Sequence, residues 1–88
     1  MGTTTATLTI RYFAAARAAA GVETEPLELR DGDTVDHALT AIRERHGAEL
    51  ARVLDRCSFL LDEVAVRDRS AVVPAGATLD VLPPFAGG

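Results

Sequence analysis

The stretch of this sequence best suited to chemistry is Pro83-Pro84-Phe85-Ala86-Gly87-Gly88, because its residues look made to be presented rather than packed. Each proline fixes φ and lacks an N–H, so the pair cannot extend a sheet ladder and should leave the fold in an extended direction. Six residues reach at most about 20 Å at ~3.3–3.6 Å per residue, enough to enter a deep cleft on another protein. Gly87 and Gly88 have no Cβ, which suits a channel that admits main chain alone. The reactive group is the carboxylate on Gly88, an anion at neutral pH with an ordinary pKa of about 3.3–3.7 and a poor electrophile until activated. Conversion to a mixed anhydride with an adenylate makes it an acyl electrophile open to a sulfur, oxygen or nitrogen nucleophile. A frayed terminus also ends in small residues. Pro-Pro directly after a strand-like run, then one apolar anchor at Phe85 and a bare Gly-Gly, argues for a designed tail.

Other chemistries find little support. The single cysteine, Cys57, excludes an intrachain disulfide and a multi-cysteine zinc site, and reads as a small buried hydrophobe at the start of a strand. His37 and His46 lie nine residues apart, on opposite faces of one helix, so they cannot share a metal; both are expected on the solvent side. No metal site and no nucleophile–base pair is expected. All nine basic residues are arginines, scattered along a chain of net charge −4, so nucleic acid is not an expected partner. Without lysine, the chain offers no side-chain amine as an amide acceptor, though it can still be a donor. Met1 to Ala6 lack the features of a signal peptide, and no apolar run approaches membrane-spanning length, so a cytoplasmic protein without membrane association is expected.

The elements that must hold the tail can be read by period. Thr7 to Phe13 alternates, with Leu8, Ile10 and Tyr12 facing inward and Thr9, Arg11 and Phe13 outward, so Phe13 is a large aromatic on a polar face. Ala14 to Ala20 is a short helix ended by Gly21. Glu25-Pro26-Leu27-Glu28-Leu29 is a strand placed at an edge by Pro26, antiparallel to the first. Thr34 caps a main helix whose Val35, Ala38, Leu39 and Ile42 form an apolar stripe and which Gly47 ends. A second short helix is expected over Ala48 to Leu54. Ser58 to Leu61 and Val64 to Val66 form a hairpin about Asp62-Glu63. Thr78 to Leu82 is the final strand, with Leu79 and Val81 inward and Leu82 outward. This order gives an α+β fold, one main helix on one face of a mixed sheet, with residues 1–82 as the domain and 83–88 as the tail. If the first and last strands are central neighbours, Phe13 and Leu82 meet on the open face beside the root of the tail.

The sequence resembles the β-grasp sulfur carriers, the MoaD/ThiS family with its ubiquitin-like fold, and within it the small subunits of molybdopterin synthase. The resemblance rests on Tyr12-Phe13-Ala14-x-x-Arg17-x-x-x-Gly21, on Asp31-Gly32-Asp33-Thr34-Val35 and on Leu82-Pro83-Pro84-Phe85-Ala86-Gly87-Gly88, and covers most of the chain. It implies that an activating enzyme adenylates Gly88 with ATP and that persulfide sulfur replaces the adenylate to give a thiocarboxylate. It further implies that the tail enters a large catalytic subunit, in a heterotetramer, and passes sulfur to cyclic pyranopterin monophosphate. The chain would then bind no cofactor, hold no catalytic side chain, and meet its partners through Phe13, Leu82 and the tail. Arg17 is open among three roles: anchoring the tail, binding a partner carboxylate, or pairing with a local acid. Carriers for thiamine, cysteine or tRNA thiolation, ubiquitin-like modifiers and a plain binding module are the competing readings. The chain departs from the family in having Ala75-Gly76-Ala77 and Asp62-Glu63 at turns where Asp-Gly-Asp and Asn-Gly are common, and in carrying Phe85 where a smaller aliphatic is common.

Overall fold

The computed structural model describes residues 5–84. Its elements, in chain order, are β1 (Thr5–Tyr12), α1 (Ala14–Ala20), β2 (Thr24–Arg30), α2 (Val35–His46), α3 (Ala48–Leu54), β3 (Ser58–Leu61), β4 (Val64–Ala65) and β5 (Thr78–Leu82). The five strands form one mixed sheet in the order β2-β1-β5-β3-β4. β1 and β5 run parallel at its centre, and the remaining pairs are antiparallel.

The expected alternation of β1 holds throughout, with Ala6, Leu8, Ile10 and Tyr12 buried and Thr5, Thr7, Thr9 and Arg11 exposed. Val35, Ala38, Leu39 and Ile42 of α2 pack into one core with Leu8, Ile10, Leu27, Leu29, Phe59, Leu79 and Val81 from the sheet. α1 and α3 pack against each other, adding Ala16, Leu50 and Leu54 to that core. Pro26 lies in the edge strand β2, as its missing N–H requires.

Thr34 caps α2, accepting from the His37 N–H, while the His37 ring nitrogen Nδ1 accepts from the Thr34 N–H at 3.0 Å. Because Nδ1 accepts there, the 3.3 Å approach of Asp33 to the same nitrogen is not an ion pair. The first N–H groups of α2 go to the loop before β5: Val35 and Asp36 donate to the carbonyls of Ala71 and Arg69. β4 stops at Ala65 rather than Val66, although the Val66 N–H still reaches the Phe59 carbonyl at 2.9 Å. The turn between β3 and β4 takes positive φ at Asp62 (48°) and Glu63 (69°), the primed geometry that a two-residue hairpin requires. Asp62 is held there by β5, since its Oδ1 accepts from the Thr78 N–H at 2.9 Å.

His46 corrects the sequence reading. It is not a solvent-side residue: its side chain is 13% exposed and its Nε2 lies 2.5 Å from Glu25 Oε2. His46 follows Ile42 by four residues and Leu39 by seven, so it continues the buried stripe of α2. His37, 60% exposed at its side chain, lies on the solvent side as expected.

Candidate functional site: the open face and the root of the tail

Two neighbouring strands bring the predicted interface residues to one place. The parallel register pairs Tyr12 with Val81, so Phe13 and Leu82 follow at the same end of the central strands. The Phe13 N–H donates to the Val81 carbonyl at 3.2 Å, and the Phe13 carbonyl accepts from Ala16 and Arg17 as α1 begins. Phe13 is thus pinned where β1 turns into α1, with its side chain left exposed. The turn places Ala14 at φ 50°, a left-handed conformation that costs a residue with a Cβ about 1–2 kcal/mol. Leu82 is half-buried rather than fully outward, Pro83 is half-buried and Pro84 is exposed. Phe85, Ala86, Gly87 and Gly88 lie outside the described residues.

Beside Phe13 the open face carries an ion pair that the sequence reading did not anticipate. Arg11 Nε and Nη2 donate to Asp80 Oδ1 and Oδ2 at 2.6 and 2.7 Å. Asp80 is 5% exposed, the one buried charged residue of the described chain, so a bidentate cation is what makes its burial tolerable. The Arg11 guanidinium also lies 5.8 Å from the Phe13 ring centroid, a cation–π distance. Outward parity of both residues on neighbouring strands was the available signal; only the strand order was missing.

Arg17 is exposed and forms no side-chain hydrogen bond or ion pair among the described residues. It lines a small cavity of about 110 Å³ with Phe13 and Glu23. Pairing with a local acid is therefore not the geometry seen.

On the covered side, Glu25 accepts from Tyr12 Oη at 2.5 Å and from Arg45 Nη1 at 3.1 Å as well as from His46. Tyr12 and His46 also meet edge to face, with centroids 5.8 Å apart. Burial alone would raise the Glu25 pKa, but the bonds from Tyr12, His46 and Arg45 outweigh it and hold the carboxyl below its ordinary value. The Tyr12 hydroxyl is pushed far up, first by burial and then by its bond to Glu25. Each polar group here is matched, so the cluster reads as a joint between α2, β1 and β2. Its signal was in the sequence: Glu25 shares the parity of Leu27 and Leu29.

Cys57 is buried, its thiol donates to the Val53 carbonyl at 3.2 Å, and burial raises its pKa, all of which disfavour a nucleophilic thiolate. No group of histidine, cysteine and acidic residues suited to a metal occurs among the described residues. No helix of the described residues is long and apolar enough to cross a membrane.

A five-stranded mixed sheet wrapped on one side around a main helix, with parallel central strands, is the ubiquitin-like β-grasp. Residues 10–88 match the model of the ThiS family, and the chain belongs to that family. It is 36% identical over 81 residues to a molybdopterin synthase sulfur carrier subunit of Chlamydomonas reinhardtii, a match covering 90% of this chain and 95% of that one. The crystal structure of H. volcanii small archaeal modifier protein 1 superposes with a TM-score of 0.80 at 26% identity, over 91% of this chain and 99% of that one. Subunits 1 and 2 of the molybdopterin-converting factor from Helicobacter pylori 26695 have been solved as a protein–protein complex. One chain of it matches with a TM-score of 0.69 at 20% identity, covering 93% of this chain and 99% of its own, a likeness of fold.

Proposed function

We propose that the chain is a cytoplasmic sulfur carrier, the small subunit of a molybdopterin synthase, and that Gly88 is the residue that carries the sulfur. The observation behind this is the exit of the chain from central strand β5 through Leu82, Pro83 and Pro84 beside exposed Phe13, in a member of the ThiS family. The name of the Chlamydomonas reinhardtii relative supports the pathway. An activating enzyme attacks ATP with the Gly88 carboxylate, giving the acyl adenylate and pyrophosphate. The terminal sulfur of a persulfide then displaces AMP to give an acyl disulfide, and a second thiol breaks its S–S bond, forming a disulfide with the donor's sulfur and leaving the thiocarboxylate on Gly88. The tail enters the large subunit, whose side chains do the catalysis, and the sulfur passes to cyclic pyranopterin monophosphate. Phe13, Leu82 and Arg17 form the docking face, Arg17 toward a partner carboxylate, and the assembly is a heterotetramer. The chain itself binds no cofactor.

The similarity to small archaeal modifier protein 1 favours one second reading, a modifier joined through Gly88 to a partner's lysine. One experiment separates the two. The chain is incubated with ATP, a persulfide donor, a thiol reductant and the activating enzyme, then measured by intact-mass spectrometry. A gain matching one oxygen-to-sulfur exchange at Gly88 is expected for a carrier. An unchanged mass overturns that reading, and lysine adducts stable on a denaturing gel establish the modifier.

A further inference from the structure

A cavity of about 630 Å³ lies not on the open face but behind the root of the tail. That is within the ~300–1,000 Å³ of pockets that take small ligands. Ala15 of α1, Val53 of α3, Pro83 and Pro84 give it apolar walls, and Glu49, Arg52, Asp55 and Arg56 line the remainder. Asp55 is already engaged by Arg43 at 3.4 Å, whereas Arg52 and Arg56 are exposed and form no ion pair among the described residues. The groove thus combines an apolar slot with two cations about one helical turn apart in sequence.

We propose that this groove is a resting berth for the chain's own last four residues, with the Phe85 ring between Ala15, Val53 and Pro84 and the Gly88 carboxylate on Arg52 and Arg56. Position and length argue for this occupant. The chain leaves the described structure at Pro84, which is itself a wall of the groove. Four residues span at most about 14 Å at ~3.3–3.6 Å each, and Gly87 and Gly88 permit the turn back toward α3. The charges are complementary, since a terminal carboxylate is the anion that Arg52 and Arg56 lack. A large aromatic at position 85 gains a purpose here that a tail meant only for a narrow channel does not give it. The berthed and extended forms are two states of one chain, and a partner that binds only the extended form draws the tail out.

The carboxylate contact rests on the reading above, that Gly88 bears the terminal carboxylate; the Phe85 contact does not. The test is NMR of the isolated full chain, with methyl groups labelled. Expected are cross-peaks from the Phe85 ring to the Val53 and Ala15 methyls, lost in Phe85→Ala. The pKa of the Gly88 carboxylate should lie below its ordinary range and return toward it in the Arg52→Gln/Arg56→Gln double variant. Amide signals of the central strands report that each variant is folded. Three outcomes overturn the proposal: no Phe85 cross-peaks with Val53 and Ala15 signals unmoved by removal of residues 85–88, cross-peaks only between differently labelled chains, or cross-peaks that form only with an added partner. Thiocarboxylate formation by the same variants, read separately by mass, shows whether the carrier reading survives such a failure.

Discussion

Glu25 shows how one residue can join three elements. It sits on the inward parity of an edge strand, where a carboxylate is tolerated only because Tyr12, His46 and Arg45 all donate to it. Tyr12→Phe removes a bond to a charged group and should cost about 1.5–3 kcal/mol in urea unfolding at pH 7. The pH dependence follows from the two shifted groups. The Glu25 pKa is depressed on folding, so its contribution is present above the unfolded value of about 4.3 and lost as pH falls through the lower folded value. The Tyr12 pKa is raised, so its contribution is complete below the unfolded value of about 10 and lost as pH rises beyond it. Denaturation midpoints should therefore fall at both ends, and Tyr12→Phe should abolish its share of the alkaline limb and also shrink the acid limb, because its bond is one of those that hold the Glu25 carboxyl down. At this scale the sequence was only half legible. Parity placed Leu8, Leu27 and Leu79 without ambiguity, but the same rule applied to Glu25, and the helical period applied to His46, mark them as buried too. Reading polar residues as solvent-facing by type hid a cluster that the spacing already contained.

Secondary structure was read almost to the residue because each boundary has a local cause. Gly21 ends α1 at φ 79° with its N–H on the Arg17 carbonyl. Nothing lies within 4 Å of where a Cβ would stand, so Gly21→Ala should cost about 1–2 kcal/mol through backbone strain alone, measurable by thermal unfolding. The hairpin turn gives the opposite experiment. Asp62 has a purpose beyond the turn, through its bond to the Thr78 N–H, whereas Glu63 holds φ 69° with a Cβ to accommodate. Glu63→Gly should stabilise by about 1 kcal/mol or less, while Asp62→Gly loses the bond to β5 and should destabilise. His37 was the part of α2 that no local rule announced. A histidine replaces the usual glutamate of a capping box, and only the placed ring nitrogen shows it accepting from Thr34.

Strand order is the property of the whole molecule that periodicity cannot supply, since it depends on contacts between residues almost seventy positions apart. That β1 and β5 are neighbours could be stated from the element order only as a condition, and the open-face site stands or falls with it. Arg11 and Asp80 become a pair, and Phe13 and Leu82 a surface, only once those strands are side by side. Phe13→Ser with Leu82→Ser should weaken binding to the proposed large subunit about tenfold or more, which is ~1.4 kcal/mol or above, in a calorimetric titration. Unchanged affinity would remove this face from the interface. The parallel pairing of β1 with β5 has a mechanical consequence. A partner pulling on the chain beyond Leu82 while the domain is restrained near Thr5 loads the ladder between the two central strands along its length. The hydrogen bonds must then slide past one another together instead of opening one at a time, so the domain bears the traction of tail withdrawal and stays folded behind it.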